Sequence, residues 1–590
     1  MKHILFIAAS LAASVSFSST VRIEGSTGKW HLSVNGKPFF VCGAGGGASK
    51  KLLASMGANA FRTWGADKLA DDFAEARANG LMVMAGFWLG HAEHGFDYTN
   101  AASLEETERD VLSKVERFKD DDALLCWALG NEMEMQNPHR REMWAFIDRL
   151  AAKVKEIDPD HPVCTVVAEI PRETIEEFRT LAPHLDFLGI NSYGGCPSLG
   201  KRWREAEMDR PYMVTEFGAR GSWEGPKDQC GIPLEATSTE KGEMFRTSYE
   251  EGIASERGRI CLGSFAFTWG WKVESTPTWH GMLLPDGSIL ASAEAVQTAW
   301  GVKKPKNRVP RIEPISCAKT SGIGAGDTVK AAAAAKDPDG DRLKWRWTLL
   351  SDTQDYDTIG TGLPMPEGWD GAIVSGQGTP SVAVKLPGGG TYRLYAYCFD
   401  GKGGAAYANI PLTAEGPAPK RTLKPAKLPL AVYSDASVNW TPSGYMGNTR
   451  ALKVDENCTD NPFSGKSCIR IDYLDHIGWA GIFWQSPAND WGDKPGGRNL
   501  TGATTLVFRA RGLRGGETVT FFMGGLKDKP YSDTANAELK SVRLKKEWTR
   551  YRIPLDGLNL ETVKTGFGFS LSNDGDPFSF FLDEIMYIND

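Results

Sequence analysis

Beyond its N-terminus this sequence of 590 residues has no apolar run long enough to cross a bilayer, so no membrane-spanning helix is expected. It also has no stripe of Lys and Arg. The net charge is −7 with the signs mixed along the chain, which leaves nothing to attract nucleic acid or an anionic membrane. None of the ten cysteines forms a Cys-x-x-Cys pair, which removes zinc ribbons and thioredoxin-type redox sites. There is no Gly-x-Ser-x-Gly elbow and no His-Glu-x-x-His helix, so neither a serine-hydrolase nor a zinc-protease motif is present. The glycine-rich run at 43–47 matches neither nucleotide-binding spacing. Close approach of a strand to a crowded rim explains it better.

Aromatic residues, by contrast, are plentiful: 19 Trp, 15 Tyr and 27 Phe. Indole rings stack on the flat C–H faces of sugars, although they also fill cores. The first 19 residues read as an export signal, with Lys2 and His3, a short apolar stretch at 4–13 and small residues up to Ser19. A secreted or periplasmic location and a monomeric state are expected. Export permits disulfides. Cys458 with Cys468, and Cys196 with Cys230, are the pairs considered, while Cys42, Cys126, Cys164 and Cys261 read as buried thiols.

Residues 20–304 alternate short apolar strands with amphipathic helices. Eight strands are predicted, at 39–45, 58–64, 81–88, 124–131, 163–169, 187–193, 212–217 and 262–271. Helices are predicted at 68–79, 104–118, 140–157 and 239–255. Eight such units predict a (β/α)8 TIM barrel, whose active site would lie at the C-terminal strand ends. The pattern then changes. Residues 305–415 read as an immunoglobulin-like β-sandwich, 416–429 as a linker rich in Pro and Lys, and 430–590 as a second, jelly-roll β-sandwich. The fold class is therefore multidomain: a barrel followed by two sandwiches.

Strand four ends Gly130-Asn131-Glu132, and strand seven ends Thr215-Glu216-Phe217. Each sets a carboxylate at the rim of the barrel. Two facing carboxyls suit cleavage of a glycosidic bond, because one must be protonated to assist the leaving oxygen while the other must be ionised. Mutual repulsion separates their pKa values and so creates the two roles.

This arrangement resembles clan A glycoside hydrolases, the superfamily of families 2 and 5, over the barrel half of the chain. The resemblance implies that Glu132 is the acid/base and Glu216 the nucleophile of a retaining mechanism. It implies that Asn131 bonds the sugar 2-hydroxyl, that Arg62 in Phe61-Arg62-Thr63-Trp64 lies beside the nucleophile, and that Tyr193 hydrogen-bonds it. It also implies that Trp269 floors the sugar. His91 and His94 follow strand three; no third ligand for a metal is evident, so substrate contact is the expectation for them. Trp88, Trp223 and Trp279 are expected to build sugar subsites, with Glu224, Trp271, Lys272, Glu274 and His280 as further candidates.

The middle sandwich resembles immunoglobulin-like or PKD-like modules. Asp337, Asp339 and Asp341 there suit either structural Ca²⁺ or a solvated turn. The last domain resembles galactose-binding-like carbohydrate-binding modules. That resemblance offers Asp583 and Asp435 as Ca²⁺ candidates and Trp479, Trp484 and Trp491 as a sugar platform, at least one of them core. No cofactor is expected for catalysis. The expected partner is a β-linked polysaccharide, β-glucan favoured. Transglycosylation by the same glutamates, or glycan binding without catalysis, are the alternatives.

Overall fold

A computed structural model describes residues 19–590 apart from 303–304, 354–355, 357–364, 420–422, 435–436, 494 and 530. The expected signal segment lies outside the described residues up to position 18, as does Asp435. The chain forms two compact units, the first running to Pro419 and the second from Lys420 to Asp590.

Eight parallel strands close the barrel: β1 (Val41–Gly45), β2 (Ala60–Arg62), β3 (Met82–Phe87), β4 (Leu124–Leu129), β5 (Val163–Ala168), β6 (Phe187–Asn191), β7 (Tyr212–Phe217) and β8 (Cys261–Phe267). Most of these strands are buried along their whole length, because barrel and helix layer cover both faces. Eight helices surround them: α1 (Lys50–Ser55), α2 (Leu69–Asn79), α3 (Ala101–Phe118), α4 (Arg140–Ile157), α5 (Arg172–Leu181), α6 (Leu199–Glu205), α7 (Ser238–Thr247) and α8 (Ala291–Ala299). Asn100 caps α3, and a capping box between Thr237 and Glu240 starts α7. The predicted helix at 239–255 is shorter than expected. It turns into a π-helical stretch at Ser248–Ile253.

An antiparallel sheet over residues 21–39, not anticipated from sequence, closes the opposite end of the barrel. Its Val21 and Trp30 N–H groups donate to Asp160 and Arg259, which precede β5 and β8. That leaves the C-terminal strand ends as the open face.

Among the described residues of 311–415, two four-stranded sheets form a sandwich around Trp347, Leu349, Leu394 and Ala396. It is not an independent body, because it is packed into the same unit as the barrel. Leu284 and Leu290, in the loop after β8, share one apolar cluster with Leu350, Tyr395, Tyr397 and Tyr407 of the sandwich. Beneath lies a buried polar junction. Lys241 Nζ donates to Glu235 Oε1 (2.7 Å) and to the carbonyls of Thr278 and Trp279, and the Tyr407 hydroxyl donates to the Thr278 carbonyl (2.7 Å). The Asp337 turn is self-braced. Its Oδ1 accepts from the N–H groups of Asp339 and Asp341, Arg308 holds Asp339, and Lys402 holds Asp341.

The second unit packs a five-stranded against a seven-stranded antiparallel sheet. Trp440, Trp484, Phe567 and Phe580 lie in its core. Both oxygens of Asp583 accept backbone N–H groups, from Phe463, Ser464 and Glu584.

All ten cysteines are free. Cys196 is buried with its Sγ on the Ser248 carbonyl, whereas Cys230 is exposed, so the structure does not pair them. Cys458 and Cys468 do stand opposite one another on neighbouring strands.

Candidate active site

Glu216, near the end of β7, is nearly fully buried. A register shift between Val214 and Glu216 sets it opposite Asn191 of β6, a local bulge that re-aims the side chain toward the mouth. Three donors converge on its carboxylate. Arg62 Nη1 (2.9 Å) and Trp64 Nε1 (2.8 Å) reach Oε1, and the Tyr193 hydroxyl reaches Oε2 (2.7 Å). Arg62, the last residue of β2, also donates to the Thr215 carbonyl, to Asn191 Oδ1 and to Asn131 Oδ1 (2.6 Å). One planar guanidinium therefore registers the ends of four strands.

Glu132 follows β4 with its backbone in the left-handed region, φ 56°, an uncommon state for a non-glycine residue. Its N–H donates to Val166, and its Oε1 accepts from Asn191 Nδ2 (2.6 Å). Desolvation by burial, then the neighbouring charge of Glu216, push its carboxyl up to about 8. That shift favours its protonated form at neutral pH. The environments of the two glutamates thus differ: three side-chain donors converge on Glu216, and Asn191 Nδ2 donates to Glu132.

Arg62, Asn131, Tyr193, Glu132 and Glu216 are brought together as the sequence suggested. Asn131 Oδ1 accepts from Arg62 and Asn191. Asn191, Trp64 and Phe267 were not picked out from sequence. Trp64 was visible in the motif around Arg62, but its bond to Glu216 depends on Gly45, where a Cβ would stand 2.4 Å from the indole.

Trp269 is not the sugar floor. It is fully buried and its Nε1 donates to the Ser49 carbonyl. Strand β8 ends at Phe267, four residues before the predicted end, so the ring at the rim is Phe267. That ring lies 5.8 Å from Trp64 and 6.1 Å from Tyr193, edge-on to both aromatic partners of Glu216. Trp279 is likewise core, with its Nε1 on the Arg220 carbonyl. The glycine run has a steric cause: at Gly46 a Cβ would meet the Trp269 carbonyl at 2.2 Å.

Trp88 is about half exposed, 53%, and stacks on the buried His91 at 4.9 Å, while His94 lies outward in solvent. No cluster of three or more His, Cys, Asp or Glu side chains suited to a metal occurs among the described residues. Trp223 (51% exposed) and Trp271 are exposed, and Trp223 meets Tyr193 edge-on at 5.9 Å. His280 is buried against Tyr193 and Phe267, and burial lowers its pKa to about 4, so it is a neutral ring. Glu224 accepts the N–H groups of Gly194 and Gly221, and Lys272 pairs with Glu274 at 2.5 Å.

In the second unit Trp479 and Trp491 are exposed and Trp484 is core. Trp491 packs on Phe483 at 5.5 Å, and Phe483 on Phe522 at 5.0 Å.

Residues 429–589 match the model described as carbohydrate binding domain 30. A probable mannan endo-1,4-beta-mannosidase A of Aspergillus clavatus is 24% identical over 175 residues, covering 25% of this chain and 47% of that one. The chain thus spans about half the length of this curated relative. Among solved structures, beta-glucuronidase 3 of Bacteroides uniformis is 14% identical with a TM-score of 0.36, covering 91% of this chain and 62% of that one. The beta-glucuronidase of Faecalibacterium prausnitzii is 20% identical with a TM-score of 0.38, covering 48% and 52%. Similarity to a family model is therefore located at residues 429–589.

Proposed function

We propose that this chain is an exported, retaining β-glycoside hydrolase acting on a β-linked polysaccharide. The observation that carries the reading is the pair of unlike glutamates. Glu216 is held by Arg62, Trp64 and Tyr193, whereas Glu132 retains its proton to about pH 8. In the first step the Glu216 carboxylate attacks the anomeric carbon while Glu132 gives its proton to the departing glycosidic oxygen. In the second, Glu132, now ionised, takes a proton from water as the water oxygen displaces Glu216 from the same carbon. Asn191 donates to Glu132 and favours its ionised form in that step. Phe267 forms the apolar floor beside the reacting sugar.

β-Glucan is the favoured substrate from the carbohydrate-binding resemblance of the C-terminal unit. The mannosidase similarity makes β-mannan the second backbone to test. The decisive experiment is a screen of purified full-length chain on both polysaccharides and on xylan and galactan. Products are followed by chromatography and by NMR of the newly formed anomeric centre. Retention of configuration in wild type and loss of all hydrolysis in Glu216→Ala are expected. Inversion of configuration, or undiminished hydrolysis by Glu216→Ala, overturns the mechanism. Products longer than the substrate assign the chain to glycosyl transfer instead.

A further inference from the structure

We propose that the first β-sandwich takes part in substrate binding: through Tyr356 and the buried Arg393 it fixes the turn that presents Trp223 as a sugar platform beside Glu216. The inference rests on the glycosidase reading of the barrel and adds a specificity element from outside it.

Trp223 leaves half of a large apolar ring in water next to Tyr193, the hydrogen-bond partner of Glu216. The turn that carries it is fixed from several sides. The Glu224 N–H returns to the Gly221 carbonyl, and the Glu224 carboxylate accepts the N–H groups of Gly221 (2.9 Å) and Gly194 (3.1 Å). The indole folds over Gly221, where a Cβ would stand 2.4 Å from the ring. Trp279 Nε1 bonds the Arg220 carbonyl just before the turn.

The neighbouring Ser222 is buried and faces the sandwich. Its Oγ accepts from Ser275 Oγ (3.0 Å) and donates to the Tyr356 carbonyl (3.2 Å). Tyr356 is held by its hydroxyl, which donates to Asp352 Oδ2 (2.7 Å) and accepts from Arg393 Nη2 (2.6 Å). Arg393 has no exposed surface. Its other donors engage Asp352 Oδ1, Asn409 Oδ1 and, across the junction, the Pro233 carbonyl in the loop that also carries Trp223. A single guanidinium therefore sets both the sandwich residue that bonds Ser222 and the far end of the Trp223 loop.

Packing two domains together does not require an exposed indole. A ring that is exposed yet immobilised is what a stacking platform needs, because little freedom is left to lose when a flat sugar face settles on it.

The test uses full-length Trp223→Ala, Tyr356→Phe, Ser222→Ala and the Trp223→Ala/Tyr356→Phe double variant. Substrates are cellopentaose or β-1,4-mannopentaose, whichever wild type cleaves, and a small 2,4-dinitrophenyl β-glycoside of the same sugar. Trp223→Ala is expected to raise KM for the pentaose about ten-fold. Tyr356→Phe and Ser222→Ala are each expected to raise it about three-fold while retaining kcat on the small glycoside. In the Trp223→Ala background, Tyr356→Phe should add nothing, a non-additivity that a general loss of stability would not produce. Unchanged pentaose KM in both folded Tyr356→Phe and Ser222→Ala overturns the inference and leaves the glutamate reading standing. So does unchanged KM in Trp223→Ala. If wild type cleaves no β-glycoside, the proposed function fails by itself. Calorimetric binding of the pentaoses to wild type and the same variants then decides the platform on the same criteria.

Discussion

Raising the pH above 8 should switch this protein off, and replacing Glu132 by Gln should remove the switch. The Glu132 carboxyl is pushed up to about 8, first by burial and second by the charge on Glu216, with the Asn191 amide opposing both. Only the protonated form can assist a departing oxygen. With a midpoint near 8 the protonated fraction is about 0.9 at pH 7 and about 0.1 at pH 9, so kcat/KM on an alkyl β-glycoside should fall about ten-fold between them. Glu132→Gln should lower that rate by roughly 10²–10⁴ and abolish the basic limb. It should do far less to glycosylation by a 2,4-dinitrophenyl glycoside, whose leaving oxygen departs as an anion. Asn191→Ala removes a donor that favours the ionised form, so its limb should move to still higher pH. The assay is kcat/KM against pH on the two leaving groups. An unchanged basic limb in Glu132→Gln, or a loss below about ten-fold on the alkyl glycoside, refutes the assignment. Stability is linked to the same proton. The carboxyl ionises near 4.5 in the unfolded chain and near 8 when folded, so stability falls as pH rises through that window. Glu132→Gln should lack this decline in urea titrations.

Trp269→Ala should destabilise the barrel by about 3–5 kcal/mol in urea unfolding, whereas Phe267→Ala should chiefly lower kcat/KM; a stable Trp269→Ala with impaired substrate affinity would restore Trp269 to the sugar site. Lys241→Ala leaves Glu235 charged and buried, and should cost about 3–5 kcal/mol in the same assay, most of it recovered in Lys241→Met/Glu235→Leu. Equal loss in single and double variants would contradict the buried-pair account. In the second unit, Trp479→Ala and Trp491→Ala should weaken retardation of the full chain in polysaccharide-containing native gels, while Trp484→Ala should lower the unfolding temperature of that unit in calorimetry. Unaltered retardation in both surface variants would exclude the platform.

Much of the site was legible because a barrel turns order along the chain into position in space. Strand ends share one rim, so Glu132 and Glu216 could be placed there from the lengths of the apolar runs, whereas Arg62 and Tyr193 were pointed to by the resemblance to clan A glycoside hydrolases. What failed depended on where a strand stops. An apolar run that continues past the rim looks the same whether it remains strand or folds back as core. Trp269 was therefore taken for the floor, although it is buried and the ring at the strand end is Phe267, and Trp279 for a subsite although it is buried under the Arg220 turn.

The barrel, the two β-rich regions after it and the placement of the two glutamates at strand ends could be read along the chain, because strand periodicity, turn residues and carboxylates at strand ends are local signals. It took the folded chain to show that Asn191 and Trp64 bond the two carboxylates, that Arg62 joins both halves of the rim, and that the first sandwich lies in one unit with the barrel. These depend on contacts between residues far apart in the chain. Buried polar groups must find partners wherever the packing brings them, and no local pattern announces which partner that will be.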